Sequence, residues 1–227
     1  MSDLFMEQSG GGSGAGGGQM INGMLTATVT NTKDPEKLGR IKVQFLGQGT
    51  DNETDWIRVA AFAAGSKKGA FFLPEVGEEV LVAFIQGSID RPVAIGVLWE
   101  NTDKPPEENA DGKNNVKMLK TRAGHTVTFD DDSSKAKIEI KSSAGHTITL
   151  DDASGKEKIE IKDKSGSNKI TIDTTKKDIT MESGMTLNIK AQNITIEAQT
   201  ALNLKGVTLK AEASGIAEIK GSMVKIN

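Results

Sequence analysis

The chain has no cysteine and no tyrosine, only two histidines, and five prolines that all fall at or before Pro106. Without cysteine there is neither disulfide nor thiol chemistry, and the lack says little about compartment. Seven Phe and two Trp are the only aromatic residues, and of these only Phe129 lies beyond residue 100. Bulky residues for a globular core are therefore confined to the front of the chain. No apolar run approaches the roughly 20 residues of a membrane-spanning helix; stretches such as 80–84 are far shorter. A net charge of -3, with Lys and Glu interspersed and no basic block to track phosphates, argues against nucleic acid as a partner. The first nineteen residues lack a basic start and an apolar stretch, so no secretory signal is expected there. Glycine-rich residues 10–18 read as linker material, and residues 1–19 are set apart as a flexible Gly-rich tail.

What the chain does have is repetition. GHTVTFDD at 124–131 returns as GHTITLDD at 145–152, and KIEIK at 137–141 returns unchanged at 158–162, each 21 residues on. KITID at 169–173 is a blurred further copy. Downstream the unit shortens to apolar pairs spaced i, i+2 and recurring about every seven or eight residues: Ile179/Met181, Leu187/Ile189, Ile194/Ile196, Leu202/Leu204, Val207/Leu209 and Val224/Ile226. Period two places these side chains on one face of a strand and the intervening Thr, Glu and Lys on the other. The face is only two side chains wide, too narrow for one chain to bury alone, so identical chains are its expected cover. Three chains wound together would close the faces onto one axis and hide most sheet edges. The expected trimer core is Ile138, Ile140, Ile148, Leu150, Ile159, Ile161, Ile170, Ile172, Leu187, Ile189, Ile194, Ile196, Leu202 and Leu204. Glu139, Thr149 and Glu160 are expected to face water. One strand per short repeat would make residues 179–226 roughly 30 Å of needle.

The front half reads differently. Five strands are predicted at 23–30, 39–46, 55–60, 80–84 and 92–99, separated by turn residues, as in a small barrel of the OB type. Residues 80–84, Val-Leu-Val-Ala-Phe, are apolar throughout and predicted to be buried on both sides. Glu78 and Glu79 read as a solvated loop, and residues 90–92 as a turn. The units are thus 1–19 tail, 20–100 OB-fold domain, 101–115 polar linker and 116–227 needle. The whole is an all-β chain: an N-terminal OB-fold barrel followed by a C-terminal intertwined triple-stranded β-helix, or β-prism, as a homotrimer.

Four segments in order, LGRIKVQF at 38–45, WIRV at 56–59, GAFFLPEVGEEVLVAF at 69–84 and DRPVAIGVLW at 90–99, resemble the OB domain of contractile-tail spikes. That family includes phage baseplate assembly protein V and the corresponding part of VgrG proteins. The repeat at 145–158 is similar to the start of the spike β-prism. The resemblance implies a minimal central spike that seats on a separate baseplate hub protein and pierces the target cell envelope on sheath contraction. It implies a place in the particle baseplate, after assembly in the producing cell's cytoplasm, and no cofactor. Family tips often hold a metal through His-x-His near the chain end, whereas this chain ends KGSMVKIN at 220–227. A blunt apolar platform of Val224 and Ile226 is therefore expected, with a PAAR-type tip protein as its cap and no tip metal.

Two other readings compete. A 21-residue period is close to one coil of a single-chain β-helix, the architecture of carbohydrate-active lyases and tailspike hydrolases. Such an enzyme needs clustered carboxylates, and only Asp130–Asp132 and Asp151–Asp152 offer them, in predicted turns. An OB-type module for oligosaccharide or nucleic acid would need an exposed aromatic stacking row, and none is evident in the sequence. His125 and His146 hold equivalent repeat positions and would form rings in a trimer, but following Gly they read as turn histidines.

Overall fold

β-Branched residues alternating with Thr and Lys set up the first sheet. The computed structural model describes residues 20–47 and 53–226; the glycine-rich tail expected at 1–19, and Asn227, lie outside them. The front strands are β1 (Met24–Asn31), β2 (Lys42–Phe45), β3 (Arg58–Val59), β4 (Ala64–Gly65), β5 (Lys68–Gly69), β6 (Glu79–Phe84) and β7 (Pro92–Val97). Five of them form one sheet in the order β2-β1-β6-β7-β3, antiparallel except for the parallel pair of β3 with β7. Ile41 and Ile57 then exchange backbone hydrogen bonds of 3.0 and 2.8 Å, and Thr54 donates to the Val43 carbonyl at 2.9 Å. The segment leading into β3 thereby lies along β2, and the sheet curls until its edges meet, the OB-type barrel expected from the sequence.

The barrel core is Ala27, Val29, Ile41, Val43, Ile57, Val80, Val82, Phe84 and Ala94. The expectation that the front aromatics fill it is corrected here: among the described residues Phe84 is buried and Phe45 packs part-buried against it, while Phe62, Phe71, Phe72 and Trp99 are exposed. A barrel this small closes mainly around aliphatic side chains. Residues 80–84 need a second correction. Val80, Val82 and Phe84 are buried, but Leu81 and Ala83 point outward and are only half covered. Between β3 and β6 a short hairpin, β4 with β5, turns at Ser66 and Lys67.

The back unit is a seven-stranded antiparallel meander: β8 (Val116–Lys120), β9 (Thr126–Asp130), β10 (Lys137–Lys141), β11 (Thr147–Asp151), β12 (Lys158–Lys162), β13 (Lys169–Asp173) and β14 (Asp178–Glu182). Each strand is five residues long and pairs with its sequence neighbours without a register shift. Beyond Glu182 the expected short strands are not formed within the chain. Among the described residues, no backbone–backbone hydrogen bond involves 187–226, so there is no ladder from which a strand could be built.

Candidate functional site: an uncovered aliphatic face

Register alone builds this face. Ile140 lies opposite Val127 and Ile148, Ile148 opposite Ile161, Ile161 opposite Ile170, and Ile170 opposite Met181. Beside this column runs a second, in which Phe129, Ile138, Leu150, Ile159, Ile172 and Ile179 follow one another across the same strands. Eight expected core residues, Ile138 to Ile172, therefore stand in two adjacent columns on one side of the sheet. Cross-strand aliphatic pairs contribute about 0.2–1 kcal/mol each, which steadies the sheet but leaves its surface wet. All of the eight but half-buried Ile138 remain 36–46% exposed. An open groove of about 630 Å³ runs over the first column, from Ile140 through Ile148, Ile161, Ile170 and Met181 to Leu187.

The other expected core residues, Leu187, Ile189, Ile194, Ile196, Leu202 and Leu204, lie on the extended chain beyond the sheet, each more than half exposed. So do Val224 and Ile226 at the expected tip. The structure brings these to no common face within one chain.

The opposite face is charged and carries the register. Asp130, Lys137, Asp151, Lys158 and Asp173 follow one another across five strands as alternating charges. Glu139 and Glu160, expected to face water, are instead half-buried among neighbouring side chains. Lys162 donates to Glu160 at 2.7 Å and holds its carboxyl below the usual range, with Lys158 at 3.4 Å on the other side. A two-residue slip would keep the aliphatic face inward but separate each Lys from its Asp, so this side fixes the pairing.

The turns explain the remaining candidates. Thr121 and Ser142 each accept a hydrogen bond from a glycine amide three residues on, at 2.9 Å, and Gly124 and Gly145 take φ of 90° and 97°. Only glycine adopts that conformation without strain, and a Cβ on Gly145 would also meet Lys164 Cβ at 3.3 Å. His125 and His146 follow these glycines and are exposed; His125 Nδ1 accepts the Ser143 amide at 3.2 Å. Among the described residues no three His, Cys, Asp or Glu side chains gather as metal ligands. Asp130, Asp132 and Asp151 each accept the amide two residues on, which makes them turn formers.

Such turns carry an acid-sensitive contribution. Asp163 accepts from Asn168 and Ser165 and is held at about 2, below the ordinary 3.8. Asp173 is lowered too, chiefly by the Thr175 hydroxyl and then by Lys176. A depressed carboxyl stabilises the fold above its unfolded pKa and loses that contribution as pH falls through the folded one. Thermal stability is therefore expected to hold down to about pH 4 and to drop between about pH 4 and 2. Melting followed by circular dichroism across that window checks this. An Asp163→Ala variant that melted like the parent at neutral pH would contradict it.

Sequence reasoning missed the exposed aromatics. Phe62, Phe71 and Phe72 flank the β4–β5 hairpin and Trp99 follows β7. FF at 71–72 beside the GSKKG turn at 65–69 was the available signal.

Comparison with known proteins places residues 25–99 in the type VI secretion system/phage-baseplate injector OB domain family. The chain is 40% identical over 96 residues to the type VI secretion system spike protein VgrG5 of Pseudomonas aeruginosa, which covers 39% of this chain and 12% of that protein. It is 30% identical over 130 residues to the spike protein VgrG3 of Vibrio cholerae, 52% of this chain and 13% of that one. The actin cross-linking toxin VgrG1 of Vibrio cholerae is 29% identical over 130 residues, again 52% of this chain and 12% of the relative. The chain thus spans about an eighth of the length of these relatives.

Proposed function

Since the chain belongs to the VgrG-like central-spike family, we propose that it is the structural spike of a contractile injection machine, trimeric and without catalytic activity of its own. The single observation that carries this reading is the two-column aliphatic face spanning six strands of the seven-stranded sheet, left open in one chain. Three such faces turned to a common axis would bury Ile138, Ile140, Ile148, Leu150, Ile159, Ile161, Ile170 and Ile172. Residues 187–226 would then find ladder partners in neighbouring copies and continue the needle, with Leu187, Ile189, Ile194, Ile196, Leu202 and Leu204 inside. Burial of each Leu or Ile side chain contributes about 1.5–3 kcal/mol, enough over three copies to offset the ordering of the strands.

In this reading the mechanism is mechanical. Sheath contraction drives the tube, and a stiff narrow prism concentrates the force on a small area of the target envelope. The barrel seats on a hub protein in a baseplate-type assembly, put together in the producing cell's cytoplasm. A PAAR-type protein covers the exposed end formed by Val224 and Ile226. Of the carboxylate candidates for the carbohydrate-active alternative, Asp130, Asp132 and Asp151 are engaged in turns and Asp131 lies 3.8 Å from Lys117. Mass in solution tests the proposal, and a chain that stays monomeric removes it.

A further inference from the structure

The barrel carries two apolar surfaces that its own fold leaves wholly or partly uncovered. One is aromatic. Phe62, Phe71 and Phe72, which are 99%, 79% and 74% exposed, stand on the two arms of the β4–β5 hairpin. At about 200 Å² per ring they present roughly 500 Å² of aromatic surface, at the upper end of the largest patch on an ordinary monomer.

The other lies on the outside of three adjacent strands. Met24, Ala83 and Val93 stand side by side across β1, β6 and β7, and in the next outward-facing row Thr26 and Leu81 lie opposite Gly96. The pairing of β6 with β7 slips between Leu81 and Val82, which leaves Ile95 as the extra residue of a bulge. A Cβ on Gly96 would meet nothing within 4 Å, so the row ends in open space. Charge borders this strip on the same face: Arg58 of β3 lies opposite Val93, and Glu79 precedes Leu81 by two residues on β6. Apolar residues on both faces of β6 are what made 80–84 read as buried on both sides.

Place decides the occupant. β3 runs parallel to β7, so the hairpin that follows β3 leaves the barrel at the end where β7 exits toward the needle. There Arg122, in the turn after β8, makes an ion pair with Glu75 of the barrel. The root of the needle and the aromatic hairpin therefore share one end of the barrel, where copies gathered about the needle face would bring their barrels together. A ring of identical subunits joins two different surfaces head to tail, and one barrel supplies two different apolar surfaces, one aromatic and one largely aliphatic.

We propose that the aromatic hairpin of one copy seats on the β1–β6–β7 exterior of the next copy, with Phe62, Phe71 and Phe72 against Leu81, Ala83 and Ile95. This rests on the trimeric spike reading and adds to it a second, barrel-level contact. The absence of cysteine gives a clean test. Phe62→Cys, Phe71→Cys and Phe72→Cys are each combined with Ile95→Cys in the full chain, oxidised, and run on a denaturing gel without reductant. At least one pair is expected to convert most of the protein to covalent dimer and trimer, while each single-cysteine variant runs as monomer. Absence of inter-chain bands from all three pairs, in protein that light scattering shows to be trimeric, would overturn the hairpin contact and leave the spike reading standing. Monomeric mass would remove both. Covalent dimers from a single-cysteine variant would mean like meets like, which contradicts a head-to-tail ring.

Discussion

Replacing Ile159 and Ile161 together by Asp is expected to abolish trimer formation at micromolar concentration while the barrel stays folded. The two positions lie in β12, one in each aliphatic column: Ile159 between Leu150 and Ile172, Ile161 between Ile148 and Ile170. Within one chain they are 38% and 46% exposed, so a carboxylate there costs the isolated sheet little. In an assembly closed about this face, the double variant would gather six carboxylates near one axis. Each unpaired charge taken from water costs several kcal/mol, and their mutual repulsion adds to that. An Ile159→Val, Ile161→Val variant, which keeps the face apolar, should remain trimeric with slightly lower stability. Near-ultraviolet circular dichroism reports separately on the barrel, where Trp56, Trp99 and most of the Phe residues lie. A double Asp variant as trimeric and as stable as the parent would show that these side chains face solvent in the particle.

The second large effect concerns the chain beyond the sheet. Among the described residues, 187–226 have no backbone hydrogen bond within the chain, and their large apolar side chains are all more than half exposed. Alone, such a segment would exchange its amide hydrogens at the rate of a free peptide. If neighbouring copies supply the ladder, exchange should slow by about a thousandfold or more, equivalent to about 4 kcal/mol of opening free energy. Protection should extend over most of the segment, because a prism strand borrows its hydrogen bonds from other chains on either side. The double Asp variant should lose it. Free-peptide exchange through 187–226 in the parent would mean that the needle ends near Glu182.

How much of this was legible in the residues follows from what sets each feature. The two aliphatic columns were readable because strand periodicity is local: Ile138 and Ile140 must share a face whatever pairs with them. The repeat then carried the same face from strand to strand. The absence of strands past Glu182 was not readable, because a ladder is a relation between segments and the sequence does not say whether the partner is in the same chain. The barrel's aromatic residues misled for a related reason. Phe and Trp bury more surface than any other residue, so eight of them in one half suggested a core. The volume inside a small barrel is fixed by strand number and tilt, and Val29, Ile41, Val43, Val80 and Val82 already fill it. Leu81 and Ala83 were misplaced because an apolar outer face on a small barrel looks, in sequence, like burial on two sides. The turns were half legible: Gly124 and Gly145 announced their bends, but nothing marked Asp163 as the acceptor that ties its turn together.

Mass in solution addresses the account most directly. The chain weighs 24.1 kDa, and light scattering at micromolar concentration should return three copies, about 72 kDa, with no detectable single chain. The same mass should persist on dilution, since an aliphatic face running across β9 to β14 leaves no stable monomer to return to. A mass of 24.1 kDa, with the sheet intact by circular dichroism, would contradict the account at its centre.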